Sequence, residues 1–221
     1  MKSRTTLAAI ALTATATLLL TACGGGGSES NDSGDSKDNV TAADSGSPTS
    51  VSPSTSSSSA SARPKITFPA DAKNVFEDRK TGDAPKDAVL ADSAMSVNSM
   101  DDAIFKGSAS TKALGFYNAD KALDTAITFV QGYINKNDTW IGETRYFNRK
   151  VTLAGADKAY VTYCGDESKS FIKNKKTSKV DRTPTTANSY VLYHASLTKN
   201  AEGVWQTTDI VSNRGDKACQ P

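Results

Sequence analysis

Helical and strand patterns occupy successive parts of residues 84–211 of this 221-residue chain, and this order predicts an α+β fold. Between residues 84 and 135, apolar side chains recur every three or four residues, as they do on one face of a helix. After Trp140, short stretches rich in Val, Tyr, Thr and Phe alternate with turn formers. We therefore expect N-terminal helices on one face of a curved antiparallel sheet of about five or six strands.

The first helical segment is Ala84–Phe105. Its large apolar residues lie at roughly helical spacing, although the stretch Ser96–Ser99 could interrupt the helix. The segment therefore predicts either one long helix or two shorter ones.

The second helical segment, Asp120–Asn135, is more regular. Asn118 or Asp120 can cap its start, and Asn137-Asp138 supplies a stop. Its apolar stripe consists of Leu123, Ala126, Ile127, Val130 and Ile134. We expect this stripe to face the core rather than a ligand.

Four strands and one shorter strand are predicted for the sheet. The longer ones are Tyr146–Leu153, Lys158–Cys164, Ser189–Leu197 and Val204–Val211, and the shorter one is Ser170–Asn174. Residues 154–157 and 200–203 have the composition of hairpin loops.

The two tryptophans and one basic run each have two interpretations. We expect Trp140, at the junction of helices and sheet, and Trp205, in the last strand, to close the core rather than to form an exposed binding platform. The run Lys173–Lys179 fits a solvated hairpin tip. The alternative for this run is a contact with anionic wall polymer or lipid headgroups.

The N-terminus has the three zones of an export signal. Lys2 and Arg4 form a basic start, an uncharged stretch follows from Leu7 to Leu20, and small residues precede Cys23. As a helix, about 14 apolar residues span only ~21 Å, which is less than the ~30 Å of a bilayer's hydrocarbon core. We therefore expect a signal peptide over residues 1–22.

The sequence Leu20-Thr21-Ala22-Cys23 resembles the lipobox of bacterial lipoproteins. This resemblance implies a diacylglyceryl group on the Cys23 thiol and cleavage before that residue. The alternative is ordinary secretory cleavage next to an unrelated cysteine. Two acyl chains suffice for stable anchoring, so the predicted location is the outer face of the cell membrane.

We expect a disordered tether over residues 23–62 and a single globular domain over residues 63–221. Gly, Ser, Thr and Asp dominate the tether, which has too few large apolar residues to offset the entropy of ordering. The whole chain carries a net charge of +2. Because the signal is basic and the tether acidic, the domain carries about +4, too little to indicate nucleic acid binding.

Cysteine usage agrees with export. If Cys23 is lipidated, Cys164 and Cys219 remain, and an even number of cysteines in an oxidising location predicts a disulfide bond. This bond would fix the C-terminal tail to a central strand.

Residues from Asp120 to Cys219 resemble the NTF2-like (cystatin-like) α+β cone, in which helices lie in the hollow of a bent sheet. More narrowly, they are similar to actinobacterial lipoproteins with such domains. The resemblance rests on Gln131-Gly132-Tyr133, on Tyr-Cys-Gly-Asp-Glu-Ser at 163–168 and on Val204-Trp205-Gln206 before a terminal cysteine.

Candidate site residues are few. His194 is the only histidine, which excludes a histidine-based metal cluster, and no nucleophile elbow occurs, so we expect no metal and no cofactor. Enzymes with the cone place an acid–base pair in the pocket, and His194 with Asp209 is the candidate pair. Asp166, Ser168 and Tyr190 are candidate ligand-binding residues, although Asp and Ser more often fix local turns.

Three functions stay open at this point. The first is a non-catalytic, surface-tethered module that binds an envelope protein or a small apolar ligand. The second is a cavity enzyme that uses His194 and Asp209. The third is a structural accessory protein of the cell envelope, for which we expect a solid core.

Overall fold

The structure is a computed structural model that describes residues 62–221. The predicted signal peptide, Cys23 and nearly all of the predicted tether lie outside the described residues. Three helices pack on one face of a curved six-stranded sheet, which confirms the predicted α+β class. The helices are α1 (Ala84–Lys106), α2 (Lys112–Tyr117) and α3 (Asp120–Lys136). The strands are β1 (Ala72–Phe76), β2 (Asp138–Leu153), β3 (Lys158–Asn174), β4 (Val180–Asp181), β5 (Tyr190–Lys199) and β6 (Trp205–Arg214).

The sheet is mixed, which corrects the expectation of a purely antiparallel one. Its order is β1-β2-β3-β5-β6, and β4 pairs with the end of β3. Strand β1 pairs parallel with β2, whereas the other pairs are antiparallel. The reason lies in the connection: all three helices separate β1 from β2, and parallel neighbours need such a crossover.

Helix α1 is continuous, so its serines do not interrupt it. Asp83 caps the start by accepting a hydrogen bond from the Lys86 backbone N–H, and Gly107 ends the helix at a φ of 67°. Within the helix, Ser93 and Ser99 donate their hydroxyls to carbonyls three residues earlier. Because these hydroxyls find partners inside the helix, the serines can be buried without breaking it.

Helix α3 begins after Ala119, which makes no side-chain cap bond, so neither Asn118 nor Asp120 acts as predicted. Asn118 is engaged elsewhere, because its side chain accepts from Ser96 at 2.7 Å and donates to Ser99 at 3.0 Å. This buried network joins α2 to α1. At the other end, Asn137 adopts a left-handed conformation and ends the helix as predicted.

Strands β2 and β3 are longer than predicted. They pair from Asp138 opposite Asn174 to Leu153 opposite Ala159, so the two predicted strands at 158–164 and 170–174 are one strand. The hairpin loops at 154–157 and 200–203 are confirmed, as is the turn within the basic run after β3. The short strands β1 and β4 and the helix α2 were not predicted.

The sheet bends where its register shifts. Shifts between β2 and β3 occur at Glu143/Arg145 and at Phe147/Lys150, and such bulges bend a strand. Gly142 has a φ of 98°, and a Cβ atom there would collide with the Lys169 carbonyl oxygen. Glycine is therefore required at this position for β2 and β3 to approach each other.

Cys164 on β3 is bonded to Cys219, and their Cα atoms lie 5.4 Å apart. This confirms the predicted disulfide. Because β3 lies in the middle of the sheet, the bond fixes the C-terminal tail to a central strand, as expected.

Two apolar clusters hold the helices on the sheet. The first joins α1 to the strands through Phe76, Val89, Leu90, Val97, Tyr146, Ala159, Val161, Tyr163, Ala195, Leu197 and Trp205. The second joins the three helices to the start of β2 through Ala72, Ala103, Ile104, Leu114, Ala126, Val130 and Trp140. Trp140 and Trp205 are both buried, as predicted. A fully buried Val or Leu contributes about 1.5–3 kcal/mol, so these clusters supply much of the stability.

Candidate functional site: a cavity with a buried carboxyl group

A cavity of about 670 Å³ lies between the helices and the sheet. Its walls come from α1, α3, β2, β3, β5 and β6. Residues from the mostly exposed segment 181–189, between β4 and β5, also line it. Cavities of roughly 300–1,000 Å³ are typical of sites for small molecules. The bent sheet therefore leaves a hollow that the helices cover without filling.

The cavity wall combines aromatic and aliphatic side chains with many Ser, Thr and Asn side chains. The aromatic residues are Phe129, Tyr133, Trp140, Tyr146 and Tyr193. Val97, Met100 and Ile210 add aliphatic surface. Behind the wall, Tyr146 stacks on Phe76 with ring centroids 4.8 Å apart, and Tyr193 stacks on Tyr163 at 4.9 Å. These stacked pairs hold the rings in place, so the cavity is preformed.

Asp101, on α1, projects into this wall. The Asn74 amide donates to its Oδ2 at 2.7 Å, and the Trp140 indole N–H donates to its Oδ1 at 2.9 Å. Asp101 is half-buried and lines the cavity. Burial raises the pKa of Asp101 to about 7, against the opposing effect of the two hydrogen bonds and with a smaller contribution from the charge of Glu167. Near neutral pH this group can therefore gain or lose a proton.

Two oppositely charged residues, Glu167 on β3 and Arg214 on β6, lie together in the cavity wall. The Arg214 guanidinium donates to both carboxylate oxygens of Glu167, at 2.6 and 3.1 Å, and also to the Asn188 carbonyl at 2.8 Å. The Tyr193 hydroxyl donates to Glu167 at 3.5 Å. The ion pair is half-exposed and ties the loop before β5 to two strands.

Neither His194 nor Asp209 lines the cavity, so the prediction that they form its acid–base pair is wrong. His194 is exposed on the face of β5 away from the cavity, and its Nδ1 lies 3.3 Å from the Thr162 hydroxyl. Asp209 pairs with Lys121 at 3.4 Å, and neither residue lines the cavity. Alternation along β5 explains this, because Tyr193 points into the cavity and its neighbour His194 points out.

The candidate ligand-binding residues also lie outside the cavity wall. Asp166 accepts hydrogen bonds from the Ser168 backbone N–H at 3.0 Å and from Arg145 at 3.3 Å. Although burial acts to raise it, these bonds hold the pKa of Asp166 below its usual value. Tyr190 is opposite Asp166 in the sheet. The local hydrogen-bonding role anticipated for Asp and Ser is the one observed.

One residue of the predicted α3 stripe, Ala126, lines the cavity. Ala126 is both buried and part of the cavity wall, while Ile127 is 39% exposed, contrary to the prediction. The residues of α3 that line the cavity are Ala122, Thr125, Ala126, Phe129 and Tyr133.

Asp101 is a candidate functional residue that was not predicted from the sequence. A signal for it existed: Asp101 lies four residues after Val97 and three before Ile104, so it occupies the apolar face of α1. An acidic residue on such a face has to be paired, protonated or functional.

Within residues 62–221, no three His, Cys, Asp or Glu side chains cluster as a metal site would require. In the same part of the chain, no helix combines the length and apolar character needed to cross a membrane.

No protein-family profile matches this chain, and no curated protein does either. Two solved structures are similar to part of this chain. A ketosteroid isomerase-like protein from Erwinia carotovora atroseptica SCRI1043 is 18% identical, with a TM-score of 0.40, over 57% of this chain and 93% of that one. A candidate ketosteroid isomerase from Shewanella frigidimarina NCIMB 400 is 14% identical, with a TM-score of 0.32, over 58% of this chain and 97% of that one.

Proposed function

We propose that this protein is a lipid-anchored, extracytoplasmic binding module whose cavity holds a small, mainly apolar molecule. The observation that carries the proposal is the preformed cavity of about 670 Å³, whose wall combines aromatic and aliphatic surface with polar groups that include the carboxyl group of Asp101. Apolar surface with convergent polar groups is typical of ligand sites. The structural accessory role is less well supported, because we expected a solid core for it and the domain contains a cavity.

The lipid anchor rests on the sequence alone. The lipobox-like Leu20-Thr21-Ala22-Cys23 implies a diacylglyceryl group, which would hold the domain at the outer face of the cell membrane. We expect wild-type protein to enter the detergent phase of a Triton X-114 extract and its N-terminal peptide to carry acyl mass. Cys23→Ala should move the protein to the aqueous phase or stall its processing. An unchanged distribution, without acyl mass on the wild-type peptide, would contradict the anchor.

Ligand binding can be tested with the full chain and the neutral fluorophore N-phenyl-1-naphthylamine. We expect its fluorescence to rise on binding to the wild-type protein. Ile210→Trp fills part of the cavity and should abolish the increase. Val211→Trp is the matched control, because Val211 is the next residue on β6 and 57% exposed. Equal fluorescence with both variants would show that the dye binds elsewhere.

Acid–base catalysis is a second candidate function, now centred on Asp101 rather than on His194. A buried carboxyl group with a pKa of about 7 is suited to take a proton from a bound carbon acid. The generic base probe 5-nitrobenzisoxazole tests this. Ring opening should be faster with wild-type protein than with Asp101→Asn, and its rate should rise through pH 7. Equal rates for the two proteins would exclude the catalytic role.

A further inference from the structure

Helix α1 carries three aspartates that point into the protein, and two of them have a basic partner. Asp92, 2% exposed, pairs with Arg63 and accepts the Trp205 backbone N–H at 2.9 Å. Asp102, fully buried, pairs with Lys106 at 2.7 Å. Among residues 62–221, none of the ion pairs includes Asp101. Asp101 therefore differs from Asp92 and Asp102, because it forms no ion pair with a basic side chain of the described residues.

The other charged side chains in the cavity wall do not neutralise Asp101. The ionisable acids in the wall are Asp101, Glu167 and Asp181, and the only basic residue among the described lining residues is Arg214. Arg214 already pairs with Glu167 and also donates to the Asn188 carbonyl. With its acids ionised, the cavity has an excess of negative charge, which a positively charged ligand would offset.

The aromatic wall suits the same kind of ligand. Five aromatic side chains line the cavity, and four of them are Tyr or Trp. The faces of these rings attract cations, and most strongly where water is excluded. A carboxylate surrounded by such rings therefore attracts an organic cation by two independent effects.

We propose that the ligand of this cavity carries an organic cation, a protonated amine or a quaternary ammonium group, that pairs with Asp101 against the aromatic wall. This inference rests on the proposed binding function and names the class of ligand. Val97, Met100 and Ile210 offer apolar surface to another part of the ligand.

The pH dependence of binding follows from the groups that face Asp101. These are Tyr133 on α3, Tyr146 on β2, Tyr193 on β5 and Glu167 on β3, with Arg214 on β6 beside Glu167. Burial raises the pKa of each tyrosine, so all three stay neutral below pH 9. Asp101 is then the group that changes charge near pH 7. Affinity for a cation should therefore rise with pH through this range.

Three probes that share a 2-naphthylmethyl group test the proposal by isothermal titration calorimetry on the full chain. They are (2-naphthylmethyl)trimethylammonium, its uncharged carbon isostere 2-neopentylnaphthalene and the anion 2-naphthylacetate. The quaternary ammonium keeps its charge at every pH, so only the protein titrates. We expect the cation to bind at least about tenfold more tightly than the isostere at pH 8, and the advantage to vanish at pH 5.5.

Asp101→Asn should remove the cation's advantage at pH 8, while Asp209→Asn, which removes a surface charge outside the cavity, should leave it unchanged. If Asp101→Asn does not fold, the wild-type comparison at the two pH values gives the same information. Equal affinity for the cation and the isostere would overturn this inference and leave the binding function intact. No binding of any probe to folded protein would overturn both.

Discussion

The indole N–H of Trp140 lies 2.9 Å from Oδ1 of Asp101 and connects the start of β2 to the C-terminal part of α1. Trp140 is 4% exposed, and a buried indole N–H needs an acceptor. The carboxyl group satisfies this need and is held in one orientation by it. The tryptophan therefore has two roles: its ring completes the apolar cluster around the three helices, and its nitrogen positions the ionisable group of the cavity.

Trp140→Phe should raise the pKa of Asp101 further above its usual range. The indole N–H stabilises the ionised carboxylate, so its loss favours the protonated form. We expect a shift of about one pH unit, which corresponds to the loss of one hydrogen bond to a charged group. A ¹³C NMR titration of aspartate carboxyl groups measures it. Trp205→Phe is the control, because Trp205 is equally buried but its ring does not contact Asp101. A lower pKa in Trp140→Phe would contradict the assigned role.

Asp101→Asn should make the folded protein more stable at pH 8 but not at pH 4.5. The pKa of this carboxyl rises from 3.8 in a free chain to about 7 in the fold, so between these values the folded state binds more protons than the unfolded state. Stability from this group is therefore present at low pH and lost as the pH rises through 7. The full cost at pH 8 is at most about 4 kcal/mol, and we expect a measured gain on the order of 2 kcal/mol.

Urea unfolding of both proteins at the two pH values measures this difference. Asp209→Asn serves as the control, because Asp209 is part of an exposed ion pair whose contribution is about 0–1 kcal/mol. A wild-type protein that is more stable than Asp101→Asn at pH 8 would mean that the charge is already compensated inside the fold.

The sequence predicted the regular elements well because their patterns are local. Ala84–Phe105 differs from α1 by a single residue, and Asp120–Asn135 differs from α3 by one residue. The parallel strand β1 was missed, because its five residues gain their stability from pairing with β2, which follows three helices later. The stretch Asp166–Ser168 was read as a turn because it is polar. It lies in β3 because its side chains find partners across the sheet, in Arg145 and Arg214.

The cavity could not be predicted from periodicity alone. The spacing of Ala122 and Ala126 shows which face of α3 points inward, but not that this face borders an empty hollow. That hollow depends on the bend of the sheet, which register shifts and Gly142 produce. The same limit explains the choice of His194, because residue type suggested chemistry there while strand alternation directed the side chain outward.

Removal of the disulfide with Cys164→Ala and Cys219→Ala together should destabilise the fold. The bond closes a loop with a sequence separation of 55 residues, and the chain-entropy model gives a contribution of about 4 kcal/mol. Both sulfurs are buried, so the tail 216–221 should also become accessible to proteases. Urea unfolding with and without dithiothreitol measures the effect, and the reductant should not affect the double variant. Two free thiols by Ellman's assay of denatured wild-type protein would show that the bond is absent.

The side chain of Arg149 points into the protein, next to a register shift between β2 and β3. It is 5% exposed and donates to the Leu90 carbonyl at 2.6 Å and to the Ser93 hydroxyl at 2.8 Å. Its guanidinium also lies over the Phe76 ring, 5.1 Å from the centroid. Burial lowers the pKa of Arg149 to about 10, so the group stays charged at neutral pH at a cost in desolvation.

Two substitutions separate packing from charge at this position. Arg149→Ala leaves a void and removes both hydrogen bonds of the guanidinium, so it should lower the free energy of unfolding by about 3 kcal/mol. Arg149→Met fills most of the space without a charge, so we expect a loss of about 1 kcal/mol or less. Lys150→Ala, at the exposed neighbouring residue, should change stability by less than about 0.5 kcal/mol. Equal losses for Ala and Met in urea unfolding would show that the hydrogen bonds of the guanidinium, rather than its volume, hold α1 against the sheet.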